Sequence, residues 1–314
     1  MHQSHQNKTR SEEPIILTPE FLKSWPLPQP DENGDKEDRG RVLVVGGASI
    51  MPGAIILAAT AALRAGAGKL QIGTGASIHQ AVGVAVPEAL VFPLPETKEA
   101  GIDKEAVDEI VAKANNANAL LIGPGMVDAR AVAKVVPEVI GRLEKDGPVV
   151  VLDAEGFGCL KDLPELFQRH KCQGVITPHA GEMASLLGID KSAIQNDPAK
   201  IARQAAEYFQ AVVVLKGATT YIAEPGGKMY CNTTGNVGLA TSGSGDTLSG
   251  IVAGLAARGA PPVQAAAWAV YLHGSAGDSL AERFGPLGFL ARELLAEVPG
   301  LMAQLTPDSK APAK

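Results

Sequence analysis

A carboxylate, Asp246, stands among glycines in the segment Gly243-Ser244-Gly245-Asp246, directly before an apolar helical pattern at residues 248–257. Glycines let backbone N–H groups turn towards a ligand without interference from a Cβ atom. The start of a helix adds unpaired N–H donors and a partial positive charge, which together bind an anion, most often a phosphate. Asp246 is therefore either a cap of that helix or a base beside a phosphate. The flanking glycines favour the base, since a cap needs no such loop.

Four further glycine-rich or polar clusters follow apolar runs of strand length. A single glycine after a strand is usually part of a turn. Ligands of parallel sheets, however, bind at the carboxyl ends of the strands, and four such clusters are difficult to explain as turns alone. The clusters are residues 46–54, 123–126, 177–182 and 216–220.

The elements that position these clusters alternate between strands and helices after residue 40. Strands that are apolar on both faces, separated by helices, predict a parallel sheet with helices on both faces. Residues 221–223 and 228–231, joined by Pro225-Gly226-Gly227, predict a β-hairpin, and residues 246–305 are mostly helical. We expect an α/β fold with one doubly wound domain. The predicted strands are 42–45, 70–72, 89–92, 119–122, 149–152, 174–176 and 212–215, and the predicted helices are 54–65, 104–114, 129–145 and 198–209.

Composition excludes several classes of function. The net charge of −6 leaves no basic footprint for nucleic acid. The scattered Cys159, Cys172 and Cys231 argue for a reducing compartment and against a disulfide framework or a zinc site. The long uncharged run at residues 42–63 is interrupted by glycine and proline, so we do not expect a membrane span. These observations predict a soluble, cytoplasmic protein.

Domain organisation follows from the same patterns. Residues 1–13 are polar and lack the apolar core of a signal peptide, so we expect a disordered tail there. We expect a single domain at residues 14–305 and a flexible tail at residues 306–314. The sequence contains no P-loop, GxGxxG, HExxH or GxSxG motif.

Taken together, these segments identify a resemblance. The chain resembles the ADP/ATP-dependent NAD(P)H-hydrate dehydratases of the ribokinase-like superfamily, from about residue 17 to residue 298. The Gly-Ser-Gly-Asp loop indicates only the superfamily. The Thr-Pro-His-Ala-Gly-Glu segment at residues 177–182 and the helix end Ala-Ala-Leu-Arg-Ala-Gly-Ala-Gly at residues 61–68 are much more specific. The resemblance implies a three-layer α/β/α fold with a central, mostly parallel sheet.

The resemblance also implies an activity. The family repairs NADH and NADPH to which water has added across a double bond of the nicotinamide ring. ADP or ATP phosphorylates the resulting hydroxyl, and phosphate then leaves with the help of the ring nitrogen's electrons. The products are NAD(P)H, phosphate and AMP or ADP. Such a member would use Mg²⁺ and would form a homo-oligomer, commonly a tetramer.

Site residues carry over from the family position by position. Asp246 would take the proton from the substrate hydroxyl, and the backbone of the phosphate loop (residues 242–245) would hold the transferred group. Glu182 and Asn236 are the weaker expectations for a divalent metal. The expected nucleotide-binding residues are Lys216, Gly217, Ala218, Thr219, Thr220, Ser242, Gly243, Ser244 and Gly245, and the expected substrate-binding residues are Ala54, Gly125, His179 and Asp246.

Structural interpretations compete with these roles. His179 could bond a backbone carbonyl, Lys216 could be a solvated charge, and Glu182 could favour the start of a helix at residues 181–187. Asp153 could reach the site or cap a turn.

His273 and Asp278, in a helical stretch, are expected to serve packing or the surface. The family's His-Lys-Gly element before the first strand is replaced here by residues 34–40. Met126-Val127 and Ala154-Glu155-Gly156 also depart from its usual pattern.

The sequence leaves two other functions open. A small-molecule kinase of the same superfamily, acting on a hydroxyethylthiazole or pyridoxal-type alcohol, would use the same aspartate and loop. A kinase would release a stable phosphoester, whereas a dehydratase would restore a dihydropyridine. A non-catalytic nucleotide sensor would tolerate Asp246→Asn.

Overall fold

A ten-stranded sheet forms the centre of the computed structural model, which describes residues 13–31 and 35–306. The expected tails therefore fall almost entirely on residues 1–12 and 307–314, outside the described ranges, and stay predictions. The strands are β1 (Ile15–Ile16), β2 (Arg41–Gly46), β3 (Lys69–Gly75), β4 (Leu90–Leu94), β5 (Ala119–Ile122), β6 (Val149–Leu152), β7 (Gly174–Ile176), β8 (Val212–Leu215), β9 (Thr220–Ala223) and β10 (Met229–Asn232).

The strand order places the glycine-rich and polar clusters at the carboxyl ends of the strands. The order is β1-β10-β9-β8-β7-β6-β5-β2-β3-β4, and all neighbours are parallel except the β8–β9 and β9–β10 pairs. The chain runs outwards from β2 to β4 and then returns to β5 on the other side of β2. Such a reversal opens a crevice at the carboxyl ends of the two strands. The clusters after β2 and β5 meet there, where Gly47 N–H donates to the Pro124 carbonyl at 2.8 Å.

Twelve α-helices occupy the described residues. Those before β8 mostly connect parallel strands, and the last three follow the β9–β10 hairpin. The helices are α1 (Pro19–Ser24), α2 (Pro52–Arg64), α3 (His79–Ala85), α4 (Val107–Ala114), α5 (Ala129–Gly141), α6 (Leu166–His170), α7 (Ala180–Leu187), α8 (Lys191–Asn196), α9 (Pro198–Phe209), α10 (Ser244–Ala257), α11 (Pro262–Phe284) and α12 (Ala291–Leu305).

Alternate strand residues face two different apolar cores. On one face, Val42 and Val44 pack with α2, α10, α11 and α12. On the other face, Leu43 and Val45 pack with α4, α5, α7 and α9. Because successive side chains of a strand point to opposite faces, strands that are apolar throughout build both cores. The structure therefore has the expected three-layer α/β/α architecture.

Helices α2 and α10 approach each other unusually closely. A Cβ atom on Gly250 would lie 2.1 Å from the Ala58 carbonyl oxygen, and one on Gly254 would lie 2.4 Å from the Ala62 carbonyl oxygen. Only glycine allows two helix backbones to pack in this way. The contact fixes the start of α10, which carries the phosphate loop, against α2.

Most predicted boundaries agree with the structure, and the exceptions have local causes. The predicted strands at 119–122, 149–152, 174–176 and 212–215 are confirmed to the residue. The helix predicted at residues 129–145 ends at Gly141, because Arg142 leaves the helical conformation and a turn follows, in which Gly147 N–H bonds Glu144. None of the helices within residues 13–31 and 35–306 is long and apolar enough to cross a membrane.

Candidate active site

A cavity of about 820 Å³ opens at the carboxyl ends of β6, β7 and β8. The residues after these strands form one wall, and the segment between β10 and α10 forms the other. Many of the predicted site residues line this cavity together: His179, Glu182, Lys216, Gly217, Ala218, Thr220, Asn236, Ser244, Gly245 and Asp246.

The phosphate loop turns directly into helix α10. Gly243 is the N-cap, with a positive φ of 87° that a residue with a side chain rarely adopts. The helix begins at Ser244, four residues before the apolar pattern. In its first turn the N–H groups of Gly245 and Asp246 have no carbonyl partner within the helix. These donors and the helix dipole suit an anion in the adjoining cavity.

Asp246 is the third residue of α10, so it is not the N-cap. The cap position makes no side-chain hydrogen bond to the helix. The interpretation of Asp246 as a helix cap is therefore wrong. Its carboxylate lines the cavity instead.

Lys216, after β8, pairs with acidic residues that follow β6 and β7. Its Nζ lies 3.5 Å from Asp153 Oδ1 and 3.7 Å from Glu182 Oε2. Asp153 is buried, and its Oδ1 also accepts a hydrogen bond of 2.6 Å from the Thr177 hydroxyl. The Lys216 side chain is only 20% exposed. The interpretation of Lys216 as a solvated surface charge is therefore wrong, as is that of Asp153 as a turn cap, since Asp153 makes no side-chain capping bond.

The surroundings of Lys216 keep its ammonium group charged. Burial alone would lower the pKa of Lys216, but the charges of Asp153 and Glu182 and the hydrogen bond to Asp153 raise it above its ordinary value. A charged ammonium therefore stays beside the phosphate loop at neutral pH.

The surroundings of Asp246 instead favour its neutral form. Burial raises its pKa first, the nearby Asp153 carboxylate raises it further, and Lys216 only partly opposes both, so the pKa of Asp246 is about 6. A carboxyl group with such a pKa is ionised at neutral pH, yet it is a stronger base than an ordinary aspartate.

His179 and Glu182 form a capping box at the start of α7. The Nδ1 atom of His179 accepts hydrogen bonds from the N–H groups of Gly181 at 3.0 Å and Glu182 at 3.1 Å, and Glu182 Oε2 accepts one from His179 N–H at 2.7 Å. With Nδ1 an acceptor, the Nε2 atom carries the proton of the neutral ring. His179 lines the cavity, and its Nε2 lies 3.5 Å from Glu182 Oε1. Glu182 both starts the helix and pairs with Lys216.

Some predicted residues lie elsewhere. Ala54 and Gly125 touch each other at the crevice between β2 and β5, where a Cβ on Gly125 would lie 3.0 Å from the Ala54 Cβ. They lie outside the set of described residues that line the cavity, as do Thr219, Ser242 and Gly243. Gly243 instead packs against Leu57 of α2.

Two residues that sequence reasoning assigned to packing or the surface bond the cavity wall. His273 Nε2 lies 3.0 Å from the Ser244 hydroxyl, and burial lowers the pKa of His273 to about 4. Asp278 accepts hydrogen bonds from Gly235 N–H and from the Asn236 side chain. The pair Gly274 and Gly277 in the same helix is the feature of the sequence that indicates this contact, since glycines inside a helix mark a close approach.

The donors for a metal ion are few. Among residues 13–31 and 35–306, no three His, Cys, Asp or Glu side chains are grouped so that they could hold one. The Oδ1 atom of Asn236 accepts from Gly238 N–H, and its amide donates to Asp278. Glu182 and Asn236 both line the cavity, and the Glu182 carboxylate also pairs with Lys216. This donor set fits a magnesium ion that is held mainly by phosphate oxygens and water.

Fold and site together define the class of protein. A mostly parallel sheet lies between two layers of helices, and a carboxylate lies at the carboxyl edge of this sheet in the first turn of a helix that follows a glycine. These features together define a ribokinase-like enzyme domain. The family model of NAD(P)H-hydrate dehydratases matches residues 42–300. The chain belongs to the NAD(P)H-hydrate dehydratase family.

Individual relatives agree with this assignment. The ADP-dependent (S)-NAD(P)H-hydrate dehydratase of Xanthomonas campestris is 45% identical over 92% of this chain and 96% of its own length. A bifunctional NAD(P)H-hydrate repair enzyme of Moorella thermoacetica is 40% identical, and the chain spans 54% of that relative. The ADP/ATP-dependent dehydratase of Bacillus subtilis, co-crystallised with ATP and Mg²⁺, superposes with a TM-score of 0.78 at 29% identity, covering 94% of this chain and 99% of that one.

Proposed function

We propose that this protein removes water from the hydrate of NADH or NADPH at the expense of ADP or ATP. The observation that carries the proposal is the convergence of the Lys216 ammonium, the Asp246 carboxylate and the first turn of α10 on one cavity. A cation and free N–H donors suit a phosphate, and a carboxylate of raised pKa suits proton removal. The activity named for the relatives supports this chemistry.

In the first step Asp246 accepts the proton of the substrate hydroxyl as the oxygen attacks the terminal phosphorus. The bond between that phosphorus and the bridging oxygen of the nucleotide breaks, so ADP leaves AMP behind and ATP leaves ADP. Charge develops on the transferred phosphoryl oxygens. The N–H groups of Gly245 and Asp246 and the ammonium of Lys216 are placed to stabilise this charge.

In the second step the phosphoester breaks. Hydroxide is a poor leaving group, whereas phosphate is a good one. The lone pair of the ring nitrogen expels phosphate from the neighbouring carbon, and loss of a proton from the next ring carbon to solvent restores the double bond of the dihydropyridine. The protonated Asp246 returns its proton to solvent or to the departing phosphate.

Each ligand has a proposed place. We assign the nucleotide to Lys216, Gly217, Ala218, Thr219 and Thr220 together with Ser242, Gly243, Ser244 and Gly245. The substrate hydrate lies between Asp246, His179 and the crevice at Ala54 and Gly125. This crevice adjoins the phosphate loop through α2, since Leu57 packs against Gly243.

We propose Mg²⁺ as the metal, bound to the phosphates and held by Glu182; Asn236, the other expected ligand, is not assigned to it because its side chain bonds Asp278 and Gly238 N–H. When bound, it neutralises phosphate charge. The donor set described above and the use of Mg²⁺ with ATP in crystals of the Bacillus subtilis relative support this choice.

We also propose a homo-oligomer, a tetramer as the family resemblance implies, located in the cytoplasm. Large apolar side chains at the surface suit an interface, including Val237, Phe284 and Leu287, which are 65%, 55% and 69% exposed. Size-exclusion chromatography with light scattering would measure the assembly, and a monomer at micromolar concentration would contradict it.

The experiment that tests the function follows dihydropyridine absorbance after enzyme, prepared NADH hydrate and Mg²⁺ are mixed with ADP or with ATP. We expect a rise that requires a nucleotide and disappears in Asp246→Asn. A flat trace with both nucleotides, from folded protein that binds ADP, contradicts the dehydratase. A stable phosphoester formed from a hydroxyethylthiazole or pyridoxal-type alcohol would then establish a kinase.

A further inference from the structure

Helix α11 forms hydrogen bonds with one wall of the cavity, although few of its own residues line the cavity. The wall segment in question is residues 234–241, which we name the wall loop; Thr234, Gly235, Asn236, Val237, Leu239, Ala240 and Thr241 all line the cavity. The wall loop leads directly into the phosphate loop. Its position therefore determines where the phosphate loop begins.

One face of α11 is shaped to receive the wall loop. A Cβ on Gly274 would lie 2.2 Å from the Thr234 hydroxyl oxygen, and a Cβ on Gly277 would lie 2.7 Å from Leu239 side-chain carbons. Residues 274, 277 and 278 follow the i, i+3, i+4 spacing of one helix face. The two glycines admit the loop, and Asp278 stands next to them.

Asp278 uses both carboxylate oxygens on the wall loop. Its Oδ2 accepts from Gly235 N–H at 2.8 Å, and its Oδ1 accepts from Asn236 Nδ2 at 3.0 Å. Asn236 Oδ1 in turn accepts from Gly238 N–H at 2.9 Å. This relay holds the backbone of residues 235–238 against α11. Asp278 itself lies outside the set of described residues that line the cavity.

We infer that Asp278 is a positioning residue for the nucleotide: through Asn236 it fixes the wall loop against α11, so that the cavity is already shaped for the phosphate donor. The inference rests on the proposed function for the identity of the donor, because the wall loop faces Lys216 across the same cavity. It assigns no chemical step to Asp278. Loss of the bonds releases the wall loop, which leads into the nucleotide-binding residues 242–245, whereas the hydrate crevice at Ala54 and Gly125 is bordered by different elements.

The hydrogen-bond donors allow a reciprocal test. In Asp278→Asn, the new amide meets either Gly235 N–H or the Asn236 amide, so two donors face each other. In Asn236→Asp, two carboxylates face each other. In the double variant, the amide at position 278 accepts from Gly235 N–H and donates to the carboxylate at position 236, which still accepts from Gly238 N–H. Every donor is then satisfied again.

The experiment compares the three variants with the wild-type enzyme by steady-state kinetics with Mg²⁺ and by calorimetric titration of ADP. We expect the KM and Kd for ADP to rise about tenfold in D278N, which corresponds to ~1.4 kcal/mol, while the KM for NADH hydrate stays within about twofold. The double variant D278N/N236D should return both ADP values to within about threefold of wild type.

The matched control is D128N. Asp128 also bonds one hydroxyl and one backbone N–H, those of Thr97 and Ala131, but it lies away from the cavity. We expect D128N to lower thermal stability without a change in either KM.

Several outcomes would overturn the inference. One is a folded D278N with unchanged ADP affinity, and another is a folded double variant that keeps a raised KM for ADP. If D278N does not fold, the double variant decides, and its failure to fold also contradicts the inference because its donors are satisfied. A wild-type enzyme that binds ADP but restores no dihydropyridine would instead refute the proposed function and leave the calorimetric test intact.

Discussion

The ammonium of Lys216 lies beside the backbone of Gly245 at the cavity: Nζ lies 3.4 Å from the point that a Cβ of Gly245 would occupy. Lys216 follows β8, whereas Gly245 lies in the first turn of α10. A phosphate at the start of α10 would therefore contact the ammonium as well as the helix N–H groups. Both contacts stabilise the same negative charge.

Replacement of Lys216 by methionine should therefore weaken nucleotide binding. We expect the KM for ADP to rise roughly 10–100-fold, since a hydrogen bond to a charged group contributes about 1.5–3 kcal/mol. Steady-state kinetics with varied ADP measures the effect. Lys216→Arg, which keeps the charge, should lose less, and Lys228→Met on the exposed β9–β10 turn should lose nothing. An unchanged KM in a folded K216M would contradict a phosphate role.

Replacement of Asp246 by asparagine should abolish turnover while nucleotide binding persists. General-base catalysis contributes roughly 10²–10⁴-fold, so we expect kcat to fall by at least a hundredfold with an ADP Kd within about threefold of wild type. Single-turnover absorbance and calorimetry provide the two values. Equal losses of binding and turnover would indicate that Asp246 holds the phosphate loop and is not the base.

The rate should depend on pH through Asp246. Its pKa is raised to about 6, and only the ionised form accepts a proton. Activity should therefore reach a plateau above about pH 7 and fall about tenfold per pH unit below about pH 6. A profile of kcat/KM against pH checks this expectation, with protein stability measured at each pH as the control. An acid limb near pH 4 would show that Asp246 has an ordinary pKa.

The same raised pKa has a consequence for stability. The folded protein binds a proton at Asp246 more tightly than the unfolded chain does, so stability falls as pH rises from about 4 through about 6. Asp246→Asn should therefore be more stable than wild type at pH 8, by up to ~3 kcal/mol, and the difference should disappear near pH 4. Thermal unfolding at the two pH values measures both.

Replacement of Gly250 by alanine should disrupt the contact between α2 and α10. Its Cβ would meet the Ala58 carbonyl oxygen at 2.1 Å, and overpacking costs about 1–3 kcal/mol. Denaturant unfolding measures the loss. Gly300→Ala is the matched control, because its Cβ in α12 would meet no atom within 4 Å and alanine favours a helix by about 1 kcal/mol. Equal stability changes in the two variants would contradict the proposed contact.

Local patterns were sufficient to predict most of the fold. A run such as residues 149–152, apolar throughout and bounded by Gly147-Pro148 and Asp153, is recognisable as a buried strand from the sequence alone, and β6 matches it. The start of α10 was less predictable. Ser244 and Gly245 have weak helix propensity, and the helix extends over them because the Gly243 conformation and the packing of Gly250 on Ala58 are tertiary effects.

The site was predictable in its residue types and less so in their connections. Glycines around Asp246 and the cluster at residues 216–220 indicate phosphate chemistry from the sequence alone. The pairing of Lys216 with Asp153 joins residues 63 positions apart, and no local pattern encodes such a contact. The bonds from Asp278 to Gly235 and Asn236 were not predictable for the same reason, since they span 43 and 42 positions.

The close contact of α2 and α10 has a consequence for how one site accommodates donors of different length. Ala54 lies in the first turn of α2, and Asp246 lies in the first turn of α10. The distance between the hydrate and the end of the phosphate loop that enters α10 is therefore set by two helix backbones in contact. We expect this spacing to stay constant during turnover. We therefore expect the extra length of ATP to extend away from α10, towards the residues after β8.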